Sequence, residues 1–583
     1  MRIGLLTEGG YPYVSGDARL WCDRLVRGLG QHEFDVYALS SSERQEDEGW
    51  IPLPPQVRRV RTAPLWSADD DLGGGRLKGL VGRVVTGDGW ARGRHARRRF
   101  TEYYGALAAV VCSGADGERA ADGSADMADR FGNALYGLAE LARDEGGLAA
   151  ALRSETAVRA LERACRAPGA LRAAREARVP ELLTVAASLE RALRPLSLDW
   201  YEEDGLGSVD LCHAASGGPA ALPGLLAHHF FGVPLVVTEY GVRLRTHYLA
   251  ASDAPPAVRA LLAAFHGRLA AEIYGRAEIV TAGNAHARRW QEHCGADRAK
   301  QRTVHPGMDA ARFTEVGEAP ESADPDTVVW VGRVEPAKDL VSLLHAFAEI
   351  RKEEPKTRLR VVGCPVGAEG EAYLGHCKAL AAQLFPDEAD GPHAVGDNPV
   401  SFEEPGGPEL PTPAEAYGSG AVTVLSSVVE GFPLSLVEAM LCGRATVSTD
   451  VGAVVEVIGG TGLVVPPRNP RALAEACVAL LRDPERRERL GAAARARALE
   501  LFTVEQNVTA FHGIYLEVVA RCPVRRVVLD EAGDPLPFAF PAEAHLPGRW
   551  TGPAARLVAR GGPAWPPGPP VRATSRVTPE GAL

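Results

Sequence analysis

The chain has 583 residues, of which 46% are hydrophobic and 24% charged, and its formal net charge is −11. This acidic balance argues against nucleic acid as a main ligand, because nucleic-acid binding usually needs a broad basic face. The length exceeds what one hydrophobic core fills, so about two to four domains are expected at roughly 150 residues each. The ten cysteines form no C-x-x-C pair, which predicts reduced thiols in a cytoplasmic protein rather than disulfides or a zinc site.

The first forty residues predict a strand, a loop, a helix and a second strand. The strands are RIGLLTEG and EFDVYALS, and the helix between them places Leu20, Leu25, Val26 and Leu29 at helical spacing. The start lacks the pattern of a signal peptide, and no run approaches 18 apolar residues, so neither a leader nor a membrane span is expected. A β-α-β start of this kind is typical of a parallel α/β sheet.

The middle of the N-terminal half has a different composition. Residues 66–200 are rich in Ala, Arg, Glu and Leu at helical periodicity, which predicts a mostly helical insertion. From residue 209 the strands resume with VDLCHAAS, VPLVVTEY and AEIVTAG. We therefore predict an N-terminal Rossmann-like domain over residues 1–320 that carries this insertion.

A second β-α series begins near residue 326. Its predicted strands are DTVVWVGR, TRLRVVGCP, VSFEE, AVTVLSS, ATVSTD and TGLVVPP. They predict a C-terminal Rossmann-like domain over 321–502 and a helix at 503–520 that crosses back to the N-terminal domain. Residues 521–583 are rich in Pro and Gly and are expected to be mostly disordered. Two doubly wound units imply a cleft, with ligands beyond the carboxyl ends of the strands.

Two basic residues follow the first strand of this second series. In GRVEPAKD, Arg333 and Lys338 lie in the strand-to-helix loop, and Asp339 suits the N-cap of the next helix. A guanidinium and an ammonium at a sheet's carboxyl edge can hold a diphosphate. Basic loop residues are also commonly just solvated, so the loop alone leaves both interpretations open.

The stretch VVEGFPLSLVEAM, residues 428–440, holds two glutamates eight positions apart. Pro433 suits the first turn of a helix, which leaves Glu430 in the loop and Glu438 within the helix. The start of that helix would attract a phosphate, Glu438 could accept hydrogen bonds from a ribose, and Glu430 would face what lies beyond the phosphates. Spacing alone leaves open a simpler interpretation, one buried cap and one surface glutamate.

The ordered motifs GRVEPAKD, EGFPLSLVEAM, STDVGAVVEVI and GLVVPPRNPRALAEA resemble the retaining glycosyltransferases of family 4, which have the GT-B fold. EGFPLSLVE matches the E-x7-E motif of that family. The N-terminal TEGGYPYVSGDARLWCDRLVRGL, the helical insertion and VPLVVTEYGVRLRTHYL further resemble PelF-type enzymes of exopolysaccharide synthesis. The resemblance covers about 325–500 well and does not reach the tail after about 521.

The resemblance implies roles for the matching positions. Arg333 and Lys338 would bind the donor diphosphate, Glu438 the ribose, and Glu430 the donor sugar. The pocket would be lined by Gly431, Phe432 and Pro433, with Leu434 and Ser435 at the helix start and Gly16 approaching from the N-terminal domain. It implies UDP-glucose as donor substrate, no metal and no further cofactor, because cationic groups and helix dipoles neutralise the leaving diphosphate.

Two positions depart from the family pattern. Asp17 stands where the family usually has the second glycine of a Gly-Gly pair, and a carboxylate there would repel a nearby phosphate. Tyr240 stands where PelF-type proteins usually have a histidine that is thought to contact the donor sugar. Tyr240 can donate a hydrogen bond but does not titrate near pH 7 as histidine does. His213 could lie nearby, although a buried core histidine is the alternative.

The sequence thus predicts a GT-B enzyme with two Rossmann-like domains facing a cleft. It would be a retaining, metal-independent glycosyltransferase in the cytoplasm, moving a sugar from a nucleotide diphosphate to a carbohydrate, lipid-linked or small-molecule acceptor. Peripheral association with a membrane or a synthase complex fits this function, and nucleic acid is not expected as a partner. The alternative is a weak or inactive homologue that binds a nucleotide sugar or a partner protein, which Asp17 and Tyr240 motivate.

Overall fold

Seven parallel strands form the first sheet, in the order β3-β2-β1-β4-β5-β6-β7. The structure is a computed structural model that describes residues 1–16, 19–66, 93–113, 121–250, 254–318, 323–386, 398–406 and 412–524. The strands are β1 (Arg2–Glu8), β2 (Glu33–Ser40), β3 (Val57–Pro64), β4 (Leu211–Ala214), β5 (Leu235–Glu239), β6 (Ile279–Ala282) and β7 (Gln301–Thr303). The central strands β4, β5 and β6 are buried along their whole length, as a sheet covered on both faces requires.

The sequence prediction missed the edge strand β3. Its sequence VRRVRTAP mixes three arginines with apolar residues, and its side chains are exposed or half-buried. It nevertheless pairs in parallel with β2, up to the pair Ser40 and Pro64. An edge strand does not need the continuous apolar run that identifies a buried parallel strand, and the prediction relied on that run.

Helices connect the strands of the first sheet and form the insertion between β3 and β4. The connecting helices are α1 (Arg19–Gly28), α2 (Glu43–Asp47), α9 (Leu222–Phe231), α10 (Arg243–Ala250), α11 (Pro256–Arg276) and α12 (Ala285–His293). The insertion contains α3 (Arg94–Cys112), α4 (Ala121–Glu145), α5 (Leu148–Leu152), α6 (Glu155–Arg166), α7 (Arg172–Arg175) and α8 (Val179–Leu193). Apolar side chains of the insertion share one core with a face of the first sheet, including Phe100, Leu135, Leu189, Leu6 and Val237.

Six parallel strands form the second sheet, in the order β10-β9-β8-β11-β12-β13. They are β8 (Asp324–Val331), β9 (Arg358–Val362), β10 (Val400–Glu403), β11 (Gly420–Leu425), β12 (Ala445–Thr449) and β13 (Leu463–Val465). The helices on this side are α13 (Thr314–Glu318), α14 (Leu340–Glu353), α15 (Gly367–Leu384), α16 (Pro413–Gly418), α17 (Leu434–Leu441), α18 (Val454–Ile458), α19 (Pro470–Leu481) and α20 (Pro484–Leu501). Both sheets belong to one compact unit, Met1–Val524.

The last described helix, α21 (Val504–Arg521), packs on the first sheet although it follows the second sheet in the chain. Phe511 and Tyr515 join the core that contains Ile3, Leu5 and Leu25. The predicted disordered tail falls almost entirely on residues 525–583, which lie outside the described residues. None of the described helices combines the length and apolar character needed to cross a bilayer.

Candidate active site

The loop after β8 carries the two predicted diphosphate ligands. Asp339 is the N-cap of α14, and its carboxylate accepts from the backbone N–H of Ser342 at 3.2 Å, as the sequence predicted. The Arg333 side chain is 65% exposed, and its nearest carboxylate, on Glu335, lies 3.8 Å away. Arg333 therefore has the freedom to turn toward a ligand in the cleft.

Lys338 and Glu430 form a buried ion pair at the carboxyl edge of the second sheet. The Lys338 ammonium donates to Oε1 of Glu430, and the two side chains are only 13% and 9% exposed. The Ser427 hydroxyl donates to the same oxygen at 2.8 Å. The structure thus joins two residues that lie 92 positions apart in the chain, and Glu430 balances the Lys338 charge.

The loop that carries Glu430 is fixed by the neighbouring strand-end loops. The backbone N–H of Val428 donates to the carbonyl of Ala337 at 2.8 Å, and that of Ala453 donates to the carbonyl of Gly431 at 3.1 Å. Gly452 has a φ of +58°, and a Cβ atom there would lie 2.4 Å from the carbonyl oxygen of Glu430. Only glycine allows these two loops to approach so closely.

The residues between the two glutamates form the start of α17. The Phe432 ring lies 6.0 Å from that of His305 and 5.7 Å from that of Phe502. Pro433 is the cap residue and offers no side-chain hydrogen bond, so it leaves the first turn uncapped. Leu434 is 48% exposed and Ser435 is half-buried. The backbone N–H groups of Leu434 and Leu436 already donate to the carbonyls of Phe432 and Pro433, at 3.0 and 3.1 Å.

Glu438 lies within α17, half-buried, and faces two arginines. The Tyr417 hydroxyl donates to its Oε2 at 2.8 Å. Burial raises the pKa of Glu438, while the Tyr417 hydrogen bond and the charges of Arg312 and Arg24 oppose that rise. Arg24 belongs to α1 beside the first sheet and also donates to the carbonyl of Gly307 at 2.6 Å. Groups from both sides of the cleft thus surround this carboxylate.

The loop after β1 needs glycine at Gly16. Its φ is +116°, and a Cβ atom there would lie 1.8 Å from the carbonyl oxygen of Gly9. The loop therefore folds back on itself at the carboxyl end of the first sheet, where Gly16 was expected to approach the donor. Asp17, the departure from the family pattern, lies outside the described residues.

His213 does not reach the cleft, which corrects its prediction as a donor ligand. The residue is fully buried in β4. Its Nδ1 is hydrogen-bonded to the Tyr515 hydroxyl at 2.6 Å and its Nε2 to the Thr238 hydroxyl at 2.7 Å. Burial lowers the pKa of His213 to about 3. It is the neutral core histidine of the alternative interpretation.

Tyr240 is half-buried and its hydroxyl contacts the last helix, while its contact with a donor sugar stays a prediction. Asn507 of α21 donates to its hydroxyl at 3.1 Å. The rings of Tyr240 and Trp21 meet edge-on, with their centroids 5.3 Å apart. A Cβ atom on Gly283 would lie 2.7 Å from a carbon of the Tyr240 ring. These contacts give Tyr240 a packing role between the first sheet and α21.

Two contacts across the cleft were not predicted from the sequence. The Arg245 guanidinium of α10 donates to the carbonyl oxygen of Glu430 at 2.8 Å. The backbone N–H of Ala285, at the start of α12, donates to Oε2 of Glu456 in α18 at 2.7 Å. Arg245 is one of 64 lysines and arginines, and no local pattern in the sequence distinguishes it from the others.

Two further carboxylates end strands of the first sheet. Glu8 ends β1 and pairs with Arg243 at 2.7 Å. Glu239 ends β5, is buried, and accepts from the Tyr274 hydroxyl and from the backbone N–H of Arg243. Burial raises the pKa of Glu239. Both carboxylates therefore bond to residues on the first-sheet side of the cleft, namely Arg243 and Tyr274.

Comparison with known proteins identifies both halves of the chain. Residues 1–299, just over half of the chain, match the family described as "Domain of unknown function (DUF3492)". The chain belongs to the DUF3492 family. Residues 325–483 match "Glycosyl transferases group 1", so this DUF3492 member carries a glycosyltransferase domain with the Arg333, Lys338, Glu430 and Glu438 set. The predicted enzyme class is confirmed at the level of this domain.

The chain is also similar to individual known proteins, of which sucrose-phosphate synthase supports the assignment of fold. D-inositol 3-phosphate glycosyltransferase of Streptomyces bingchenggensis is 30% identical over 51% of this chain, and the match spans 64% of that protein's length. Sucrose-phosphate synthase from Thermosynechococcus elongatus aligns over 89% of this chain and 99% of its own, with a TM-score of 0.50 and 16% identity. Anabaena HepE in complex with UDP aligns over 88% and 99%, with a TM-score of 0.49 and 14% identity. The predicted GT-B class is confirmed; a PelF-type activity is not thereby assigned.

Proposed function

We propose that the protein is a retaining, metal-independent glycosyltransferase that transfers glucose from UDP-glucose. The observation that carries this proposal is the buried Lys338–Glu430 pair at the carboxyl edge of the second sheet, with Arg245 reaching it from the first sheet. The group 1 glycosyltransferase domain and the relatives named as D-inositol 3-phosphate glycosyltransferases support it.

The donor lies along the carboxyl edge of the second sheet. Glu438 accepts hydrogen bonds from the ribose, and the start of α17 faces the diphosphate. Lys338 exchanges its partner from Glu430 to a phosphate oxygen, and the exposed Arg333 turns in to bind another. The released Glu430 carboxylate then faces the sugar.

Retention of configuration follows from attack on the face that the diphosphate leaves. The acceptor hydroxyl forms a bond to the anomeric carbon as the bond from that carbon to the diphosphate oxygen breaks. The departing phosphate oxygen takes the proton of the hydroxyl, so the protein supplies no general base. Lys338 and Arg333 stabilise the charge that develops on the leaving group, and closure of the cleft through Arg245 excludes water.

The acceptor is a carbohydrate chain, a lipid-linked sugar or a small metabolite, with exopolysaccharide or glycoconjugate synthesis as the setting. We place the protein in the cytoplasm, where its ten unbridged cysteines remain reduced.

The experiment is an assay of UDP release from a panel of nucleotide sugars, with and without candidate acceptors. We expect release from UDP-glucose that persists after chelation of divalent cations, and a product with the anomeric configuration of the donor by NMR. Loss of release in Glu430→Ala but not in Glu404→Ala, an exposed glutamate outside this site, supports the assignment. Binding of UDP-glucose without any UDP release would contradict it in favour of a binding protein.

A further inference from the structure

Two cysteines of the helical insertion touch each other inside its core. Cys112 is the last residue of α3, and Cys165 is the second-last residue of α6. Their Sγ atoms lie 3.5 Å apart, although the residues are 53 positions apart in the chain. Both side chains are almost fully buried. A buried cysteine usually serves as a small apolar residue, but that role does not require two sulfurs in direct contact.

The backbone holds together the two segments that carry these cysteines. The N–H of Leu171 donates to the carbonyl of Cys112 at 2.8 Å, and Ser113 forms an antiparallel bridge with Ala170. A disulfide bond is about 2.0 Å long, so the sulfurs have roughly 1.5 Å left to close. We expect rotation of the two side chains to supply this movement while the backbones stay joined.

The two thiols differ in acidity, which gives them different parts in an oxidation. The hydrogen bond with Cys112 lowers the pKa of Cys165; burial opposes this effect, and the charge of Arg166 assists it. The same hydrogen bond, together with burial, raises the pKa of Cys112. The thiolate, not the thiol, is the nucleophile. Cys165 is therefore the sulfur that attacks an oxidant, and Cys112 is the sulfur that completes the bond.

We propose that Cys112 and Cys165 form a modification site at which hydrogen peroxide converts two thiols into a disulfide between α3 and α6. The Cys165 thiolate attacks one peroxide oxygen, so that an S–O bond forms, the O–O bond breaks, and the hydroxide that leaves takes up a proton. The Cys112 sulfur then attacks the sulfenic sulfur. The S–S bond forms, the S–O bond breaks, and the hydroxide leaves as water with the Cys112 proton. The two thiols lose two electrons and two protons, and one peroxide becomes two water molecules.

The position of the pair favours a small oxidant. Cys112 ends its helix, and helix ends open more readily than helix centres, so peroxide reaches the sulfurs more easily than a molecule the size of glutathione. Disulfides in the cytosol are usually transient and redox-sensing, because glutathione and thioredoxin reduce them. The cross-link is therefore a state of the protein under oxidative conditions, and it does not depend on the proposed transferase activity.

The test uses the full chain with Cys364 and Cys522 replaced by serine, because Cys364 is exposed and Cys522 half-buried, and both react independently of the pair. The folded protein is treated with hydrogen peroxide, catalase removes the excess, and free thiols are alkylated in denaturant before mass spectrometry. We expect two fewer alkylated thiols than in the untreated protein and a cross-linked peptide pair that contains Cys112 and Cys165. Dithiothreitol should restore both thiols. Oxidation of a methionine adds an oxygen atom instead, so the mass distinguishes it.

Serine variants assign the cross-link to this pair. Cys112→Ser and Cys165→Ser should each abolish it. The matched control is Cys477→Ser, because Cys477 is equally buried but belongs to the core of the second sheet; it should form the cross-link as its parent does. The oxidised protein should melt about 4–8 °C above the reduced protein, because a disulfide constrains the unfolded chain.

Three results would overturn the inference. The first is that peroxide leaves both thiols free to be alkylated, and the second is that the loss of two thiols persists in Cys112→Ser. The third is a lower melting temperature after oxidation, because the disulfide would then not fit the packing of α3 against α6.

Discussion

The proposed exchange of partners at Lys338 makes Glu430→Gln a direct test of the donor site. Glutamine keeps the shape of the side chain and an oxygen that can accept from Lys338, but it removes the negative charge. Breaking a buried ion pair from one side costs about 3–5 kcal/mol. Because the amide oxygen still accepts a hydrogen bond, we expect a loss of about 2–3 kcal/mol, or about 4–6 °C in melting temperature at about 2 °C per kcal/mol.

UDP should bind the Glu430→Gln variant more tightly than the wild type, because Lys338 no longer has to leave a carboxylate before it meets a phosphate. At UDP equal to 100 times the wild-type dissociation constant, the wild type gains about 2.7 kcal/mol. A variant that binds tenfold more tightly gains about 4.1 kcal/mol. Turnover of UDP-glucose should fall about a hundredfold, because the charge facing the sugar is lost.

The assay is thermal unfolding with and without UDP, beside calorimetric titration of UDP. The matched control is Glu403→Gln in the same sheet, where Arg360 donates to Glu403 at 2.9 Å and the side chains are 24% and 17% exposed. That variant should lose stability without any change in UDP affinity. Unchanged or weaker UDP binding in Glu430→Gln would refute the partner exchange.

Three further predictions concern other parts of the site. Gly16→Ala should abolish most turnover and lower the melting temperature, because its Cβ would collide with the carbonyl of Gly9; steady-state kinetics and thermal unfolding measure both. Tyr240→Phe should lose about 1 kcal/mol of stability but keep kcat within about threefold, and a large kcat loss would restore its catalytic role. In Tyr417→Phe the pKa of Glu438 should rise further, because the opposing hydrogen bond is lost. Acidification from about pH 8 to pH 5 should then abolish UDP binding at a higher pH than in the wild type, as calorimetry can show.

The sequence was sufficient for the two parallel sheets and for the loops that carry the site. Continuous apolar strands followed by glycine- and proline-containing turns identify buried parallel strands, and the carboxyl ends of such strands share one edge. Arg333 and Glu430 could therefore be assigned to one edge without any structure. The N-cap at Asp339 followed in the same way from a local hydrogen-bonding rule.

The sequence could not specify the direction of side chains or the distance between segments. His213 and Tyr240 stand beside strand ends, but the sequence does not specify which face each side chain takes, and both turn toward α21. Arg245 meets Glu430 only because two separate sheets approach each other. Local periodicity carries no information on such an approach.

The hydrogen bond between His213 and Tyr515 joins residues 302 positions apart and has a consequence for synthesis. A ribosome adding roughly 5–20 residues per second needs about 15–60 s to travel from one to the other. During that interval the face of the first sheet that receives Phe511 and Tyr515 has no cover from its own helix. The nascent N-terminal half therefore lacks this covering helix until the last part of the ordered chain has been made. A ribosome stalled before residue 504 would leave an apolar surface exposed to chaperones.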